Sequence, residues 1–288
     1  MSNNITSLNA EAWSSVLQEV LRERFIGKEI ANTKFEGNFD GTDKVHFPKM
    51  SKITVQNLSS SYDSPAPQDL TVTDEQFVLN QRKAWAVKLS EEDVRQMKVS
   101  PNDQFIADAA ESFAKAYDDA ILSQYLNAEH TADAALVGGT SGDGASLTKD
   151  NIYQFIIEIG RLLDEANVPQ TDRFIILSPK EKALLLQSPA LVRSTKVGDK
   201  TIVSGEVGTV DNFTIYCSNN LKKASDIRHA LAGGGRPVCF AANIKPKVQI
   251  TPPEYRDDFV YLFKSQTKFG VKTFTEGANR LVDVKIAE

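Results

Sequence analysis

The sequence predicts an α+β fold, and three of its features carry the prediction. From Asn32 to about Ser90 the residues alternate as in strands, but they are too thin in apolar side chains to close a core of their own. From Pro101 an amphipathic stretch runs to about Ala128 with no internal proline or glycine, which reads as one long helix. Between Thr148 and Gln187 a periodic helix, a short continuous apolar run and a capped helix follow one another, as in a compact α/β unit. A β-patterned arm that cannot bury itself within its own subunit must lie on something else. This points to a subunit that overlaps its neighbours and away from an enzyme built around a pocket.

Each element has its own signal. Asn9 to Ile26 reads as an amphipathic helix, with Asn9 as N-cap, Gly27 as stop, and Trp13, Val16, Leu17, Val20, Leu21 and Phe25 in one stripe. In the arm, Val45, Phe47, Ile53 and Val55 share one parity, and Pro48 suits an edge. Leu58 to Gln68 is a Ser/Pro loop tip. The return limb carries Leu70 and Val72, then Phe77 and Leu79, then Trp85, Val87 and Leu89. Such a two-limbed hairpin is marginal in water unless it rests on another surface.

Ser90 to Met97 is a short helix with an acidic first turn. The long helix, Asn102 to Ala128, turns Ile106, Ala109, Ala110, Phe113, Tyr117, Ala120 and Ile121 to one face and Asp108, Glu111, Lys115 and Asp118 outward. At a rise of ~1.5 Å per residue it spans roughly 40 Å. Val137 to Ser146 is turn-rich and a candidate boundary, after which Thr148 caps the helix through Ile152, Phe155, Ile156, Ile159, Leu162, Leu163 and Ala166. Arg173 to Leu177 reads as a strand covered on both faces. Ser178-Pro179-Lys180-Glu181 is a capping box that opens the helix Lys180 to Gln187. Thr201–Val203 and Phe213–Cys217 add strands, with turn chemistry from Val207 to Phe213 between them. Gly233–Gly235 reads as a flexible turn, followed by Val238–Asn243, a strand ending at Pro252, and an alternating C-terminal segment from Asp258 to Ile286.

Composition narrows the function. Thirty-three basic residues against thirty-eight acidic ones give a net charge of −5 with no basic run, so a phosphate-gripping nucleic-acid binder is not expected. MSNNITSLNAEAW lacks the basic and apolar regions of a signal peptide, and no stretch reaches the ~20 apolar residues of a membrane span. Cys217 and Cys239 read as two ordinary thiols of a reducing compartment. His46, His130 and His229 lack metal-ligand spacing and read as surface or lightly packed side chains, His229 in a loop. The pairs Asp118-Asp119 and Asp257-Asp258 read as surface carboxylates. GxSxG, HExxH, Walker A and GxGxxG are absent. No catalytic residue, metal site or cofactor is therefore predicted. Trp13 and Trp85 are large enough to anchor a contact between subunits.

The order of these elements resembles a known family. An N-terminal helix, an extended hairpin, a long spine helix, an inserted α/β domain and a closing β-rich segment look like the major capsid protein of tailed double-stranded DNA phages, the Hong Kong ninety-seven fold. The phrases from Ala84 to Leu122, Asp172 to Pro189, Val207 to Leu221 and Lys268 to Glu288 resemble the branch that includes the Salmonella phage coat proteins.

The resemblance implies a division into an N-terminal helical arm (1–31), an extended loop lying over a neighbouring subunit (32–90), a peripheral domain with the spine helix (91–145), an axial domain (146–237) and return strands of the peripheral domain (238–288). It implies a structural subunit, not an enzyme, that assembles with itself as hexamers and pentamers into an icosahedral shell. A scaffolding protein and a portal are the implied partners, packaged double-stranded DNA touches the inner face weakly and non-specifically, and no membrane is involved. The location implied is the virion capsid, assembled in the host cytoplasm. Trp13, Leu17, Phe47, Ile53, Val55, Leu70, Val72, Phe77 and Trp85 are the candidate inter-subunit contacts. An encapsulin-like compartment shell shares the fold, and a tail or adhesin protein would also assemble but needs no inserted α/β domain.

Overall fold

The strand and helix signals resolve into three sheets and three helices of eight or more residues in a computed structural model that describes residues 26–39, 42–57, 65–90, 92, 101–190, 209–244, 249–252 and 259–287. The expected helix of Asn9 to Ile26 with Trp13 and Leu17, the loop tip 58–64, the helix to Met97, the strand Thr201–Val203 and the pair Asp257-Asp258 lie outside the described residues. The strands are β1 (Lys44–Met50), β2 (Val72–Val78), β3 (Gln81–Ser90), β4 (His130–Ala132), β5 (Arg173–Leu177), β6 (Thr209–Val210), β7 (Phe213–Cys217), β8 (Lys222–Ala224), β9 (Ile227–Gly234), β10 (Val238–Ile244), β11 (Gln249–Thr251), β12 (Val260–Thr273) and β13 (Leu281–Ala287). The helices are α1 (Pro101–Leu122), α2 (Ile152–Glu165) and α3 (Pro179–Leu186).

The chain divides into two compact units. In the first, which includes 84–90, 101–113, 249–252 and 259–266 of the described residues, β11 pairs antiparallel with the start of β12, Ile250 opposite Phe263. The second holds the remaining described residues except residue 92 and contains a seven-stranded mixed sheet of order β4-β13-β9-β5-β7-β6, with β8 also on β9. β5 and β7 run parallel, as do β4 and β13, whereas β9 is antiparallel to both β5 and β13. β4 and β13 enter this sheet from outside 146–237.

α2 lays Ile152, Phe155, Ile156, Ile159 and Leu163 into the core, the residues its periodicity selected. Each such side chain taken out of water contributes about 1.5–3 kcal/mol. β5 is buried along its whole length, as its unbroken apolar run predicts, and its first residue is Arg173, only 2% exposed. The guanidinium donates through Nη2 to Asp164 and to Val168 O at 2.6 Å each, through Nε to Pro169 O at 3.1 Å and through Nη1 to Gly160 O at 3.5 Å, so each of its nitrogens meets an acceptor. The capping box forms as expected. Glu181 accepts from the Ser178 N–H and hydroxyl, and Arg228 on β9 donates to the same carboxylate at 3.1 Å. Asp211 and Asn212, both with positive φ, close the two-residue turn between β6 and β7.

Several expectations are corrected. The long helix is α-helical only to Leu122, and Ser123–Asn127 tightens into a 3-10 turn. The Ser123 hydroxyl donates to Ala120 O at 2.7 Å, and the Tyr125 ring stacks on His229 with centroids 4.2 Å apart, so side-chain competition and a tertiary contact end the α ladder. Along α1, Phe113, Tyr117, Ala120 and Ile121 are buried as predicted, but Ala110 is exposed. Asp118 is not a surface carboxylate; it is 1% exposed and accepts from Gly27 N–H at 2.6 Å, Ile26 N–H at 3.2 Å and Asn220 Nδ2 at 3.3 Å. Gly27 opens a helical turn, Gly27–Ile30; the helix it was expected to stop lies outside the described residues. A Cβ on Gly27 would lie 2.8 Å from Asp118 Oδ1.

The cap residue of α2 is Asn151, whose Oδ1 accepts from Thr148 N–H, and not Thr148 itself. Gly233 and Gly234 are buried strand residues. A Cβ on either would meet Arg280 O at 2.6 Å or Val168 Cγ1 at 2.7 Å, and only Gly235, at φ 69°, serves the turn. His229 sits in β9, not in a loop, with Nδ1 2.9 Å from Asp283 and both side chains about 10% exposed.

Candidate assembly surface on the hairpin arm

The arm begins as a β1–β2 ribbon with Val45 opposite Phe77 and Met50 opposite Val72. Its inner face is fixed to its own subunit. Phe39, Phe77, Leu79, Cys239 and Ala241 form one buried cluster, against which Phe35, Val45, Phe47 and Phe274 pack. The rings meet edge to face: Phe39–Phe77 at 5.0 Å, Phe35–Phe47 at 5.1 Å and Phe47–Phe274 at 5.1 Å. Such pairs add about 0.5–1.5 kcal/mol each beyond burial. Around this base Lys49 pairs with Glu276 at 2.8 Å, Lys268 with Asp43, and the Lys272 ammonium donates to Gln76 O at 2.6 Å.

One expected contact residue is thereby corrected. Phe77 is wholly buried within its own subunit and has no surface left for a neighbour, whereas Phe47 is half-buried against Phe35 and Phe274 and keeps part of its surface. The strand period located both on the packed face of the ribbon. It did not reveal that Phe35, Phe39 and Phe274, distant in sequence, supply the cover. The arm is thus only partly unsupported: its base carries its own core.

At the ribbon's outer end and beyond it the remaining arm candidates, Trp85 apart, stand in solvent. Ile53 is 77% exposed, Val55 92%, and Leu70 and Val72 59% each, with Met50 at 71% beside them. Trp85 on β3 is half-buried. Its indole N–H is buried and has no hydrogen-bond partner among the described residues.

The outer limbs, 51–57 and 65–71, are joined by one backbone bond next to the ribbon and by side chains beyond it. Ser51 N–H donates to Thr71 O at 2.9 Å, and Thr71 N–H donates to Ser51 Oγ at 3.2 Å. Further out, Gln56 accepts from Ala66 N–H at 2.9 Å and donates to Ala66 O at 3.0 Å. Gln68 accepts from Thr54 N–H at 3.0 Å and donates to Thr54 O. Neither glutamine stood out in the sequence; their role shows only once the two limbs are in register.

A shallow pocket of about 190 Å³ at the arm's base is lined by Phe35, Phe47, Pro48 and Phe274 together with Lys49, Glu75 and Glu276. The Lys49–Glu276 hydrogen bond holds the Glu276 carboxyl below the usual carboxylate range and the Lys49 ammonium above its own. That pairing stabilises both charged forms and leaves neither as a proton carrier near neutral pH. Burial pushes the Cys239 thiol up to about 11, which makes it a packing residue and not a nucleophile. Among the described residues no cluster of histidine, cysteine and carboxylate side chains is arranged to hold a metal ion.

A family model described as phage capsid protein matches residues 33–280. The chain belongs to the phage capsid protein family. It is a structural capsid subunit. Solved structures with this fold include one from Mycobacterium phage Che8, at 19% identity over 98% of both chains and a TM-score of 0.78. The capsid structure of the cyanophage P-SCSP1u matches at 12% identity over 100% of this chain and 96% of that one, with a TM-score of 0.76. The capsid of the Myoviridae phage XM1 matches at 13% identity over 99% of this chain and 100% of that one, with a TM-score of 0.70. A search of curated protein sequences finds no relative. At these identities the structures speak for the fold, and the family assignment rests on the model spanning 33–280.

Proposed function

We propose that the capsid subunit is the repeated wall element of an icosahedral shell of hexamers and pentamers enclosing double-stranded phage DNA, assembled with a scaffolding protein and a portal in the host cytoplasm. The observation that carries this reading is the division of the arm. Its base is bound into the subunit's own aromatic cluster, while Ile53, Val55, Leu70 and Val72 project bare beyond it. Leaving that much apolar surface in water is unfavourable, and a neighbouring copy draped under the arm removes it. Repetition of one such contact around closed rings turns a modest interface into a stable wall. In this reading 32–90 is the overlapping loop, 91–145 and 238–288 form the peripheral domain and 146–237 the axial domain. The role is structural and asks for no catalytic site.

The test is a shortened arm. Phe77 and Leu79 belong to the core, so the excision must stop outside β1 and β2. Ser51 and Thr71 form the last backbone-bonded pair of this register, so an Asn-Gly turn replacing 52–70 closes the ribbon without disturbing its register. The shortened subunit is expected to keep the wild-type thermal midpoint within about 3 °C and to form no closed shells when expressed with the phage's own assembly proteins. Normal shells from it, seen by electron microscopy, would refute the role given to the outer arm.

A further inference from the structure

The outer arm continues the register of the ribbon without continuing its ladder. Counting outward from Met50 opposite Val72 brings Thr54 opposite Gln68 and Gln56 opposite Ala66. At both positions a glutamine amide takes the place of an opposing peptide group, offering its oxygen to the backbone N–H and its nitrogen to the backbone C=O of one residue. Only one orientation of each amide satisfies both partners, so the geometry fixes which atom is oxygen. The two clasps point in opposite directions, one from each limb. Together they tie down a stretch that is fully exposed and has no core of its own.

We propose that Gln56 and Gln68 are positioning residues that fix the shape of the outer arm before a neighbour is met, so that the arm docks on a second copy as a preformed strut and does not fold on contact. The inference rests on the reading of the chain as a shell subunit. Backbone freedom in a limb of this length is costly to lose at the moment of association. Four hydrogen bonds from two amides remove much of it beforehand. An amide is suited to the task because it is a copy of the peptide group: one acceptor and one donor in a plane, uncharged, on a stem long enough to bridge limbs that have parted. Alanine supplies neither function, and glutamate at neutral pH supplies the acceptor but sets a negative charge against the carbonyl.

The experiment compares wild type, Q56A/Q68A and Q56E/Q68E. Hydrogen–deuterium exchange of residues 51–57 and 65–71 is measured in unassembled subunits separated by size exclusion, and the critical concentration for shell formation is measured by sedimentation. Wild type is expected to slow exchange of the Thr54 and Ala66 amides about tenfold relative to an unstructured peptide. Q56A/Q68A is expected to lose that protection, keep its melting temperature, and need about tenfold more protein to assemble. Q56E/Q68E should behave like the alanine pair at pH 7 and regain protection below the ordinary glutamate pKa of ~4.3, because a protonated carboxyl again donates and accepts. The alanine pair should not recover at that pH.

Unprotected limbs in unassembled wild type would overturn the proposal. So would unchanged protection in Q56A/Q68A, or lost protection with a wild-type critical concentration. If wild type itself forms no shell with its assembly proteins, it is the reading as a shell subunit that fails and not the clasp.

Discussion

At the scale of single residues, Asp118 is the most consequential side chain outside the arm. Burial pushes its carboxyl above the usual range, partly offset by hydrogen bonds from the Gly27 N–H, the Asn220 amide and the Ile26 N–H. Its folded-state pKa therefore exceeds its unfolded value of about 3.9. The stability linked to this group is complete below the unfolded value and is lost as pH rises through the folded one. D118N carries no charge to desolvate, so denaturant midpoints of the unassembled subunit between pH 4 and pH 7 should shift progressively in the variant's favour relative to wild type. A gap that stays constant with pH counts against this account. D118A removes the acceptor of two backbone N–H groups as well, and is expected to destabilise by about 1–3 kcal/mol at every pH.

At the scale of elements, the attachment of α3 to the sheet makes the sharpest prediction. Glu181 is 1% exposed and serves both the capping box and the Arg228 guanidinium on β9, itself 14% exposed. R228M leaves a buried carboxylate with only the Ser178 groups, an expected loss of about 2–4 kcal/mol in urea unfolding. In E181M/R228M no charge is buried. That variant should recover all but the capping contribution of about 1 kcal/mol. Recovery failing in the double variant would mean that the pair stabilises by attraction and not chiefly by satisfying each other's desolvation. Helix α1 shows the same dependence on tertiary partners: its α ladder ends where Tyr125 turns to stack on His229, itself held by Asp283.

At the scale of the whole molecule, the charge balance bears on contact with nucleic acid. A net charge of −5 without a basic run offers duplex DNA little to adhere to. Purified subunits are expected to bind duplex DNA no more tightly than an acidic control protein at 150 mM salt, with a shallow dependence of affinity on salt. Tight binding with a steep salt slope in a fluorescence-anisotropy titration would contradict it.

The sequence by itself determined the elements and the faces they bury. The α2 stripe, the unbroken apolar run of β5, the Ser178–Glu181 box and the inner parity of Val45 and Phe47 are local facts, readable because helix and strand periods act within a few residues. The family, too, was legible in the order of those elements. Tertiary structure decided what lay across long separations. It brought Gly27 to Asp118, Arg228 to Glu181 and Phe39 to Phe77, and these contacts turned an apparent surface acid into a buried anchor and an apparent docking ring into core. It also set the register that carries Gln56 to Ala66 and Gln68 to Thr54. The physical reason is that a polar or aromatic side chain takes its role from the partner that meets it, and periodicity shows which way a residue faces but not what comes to meet it.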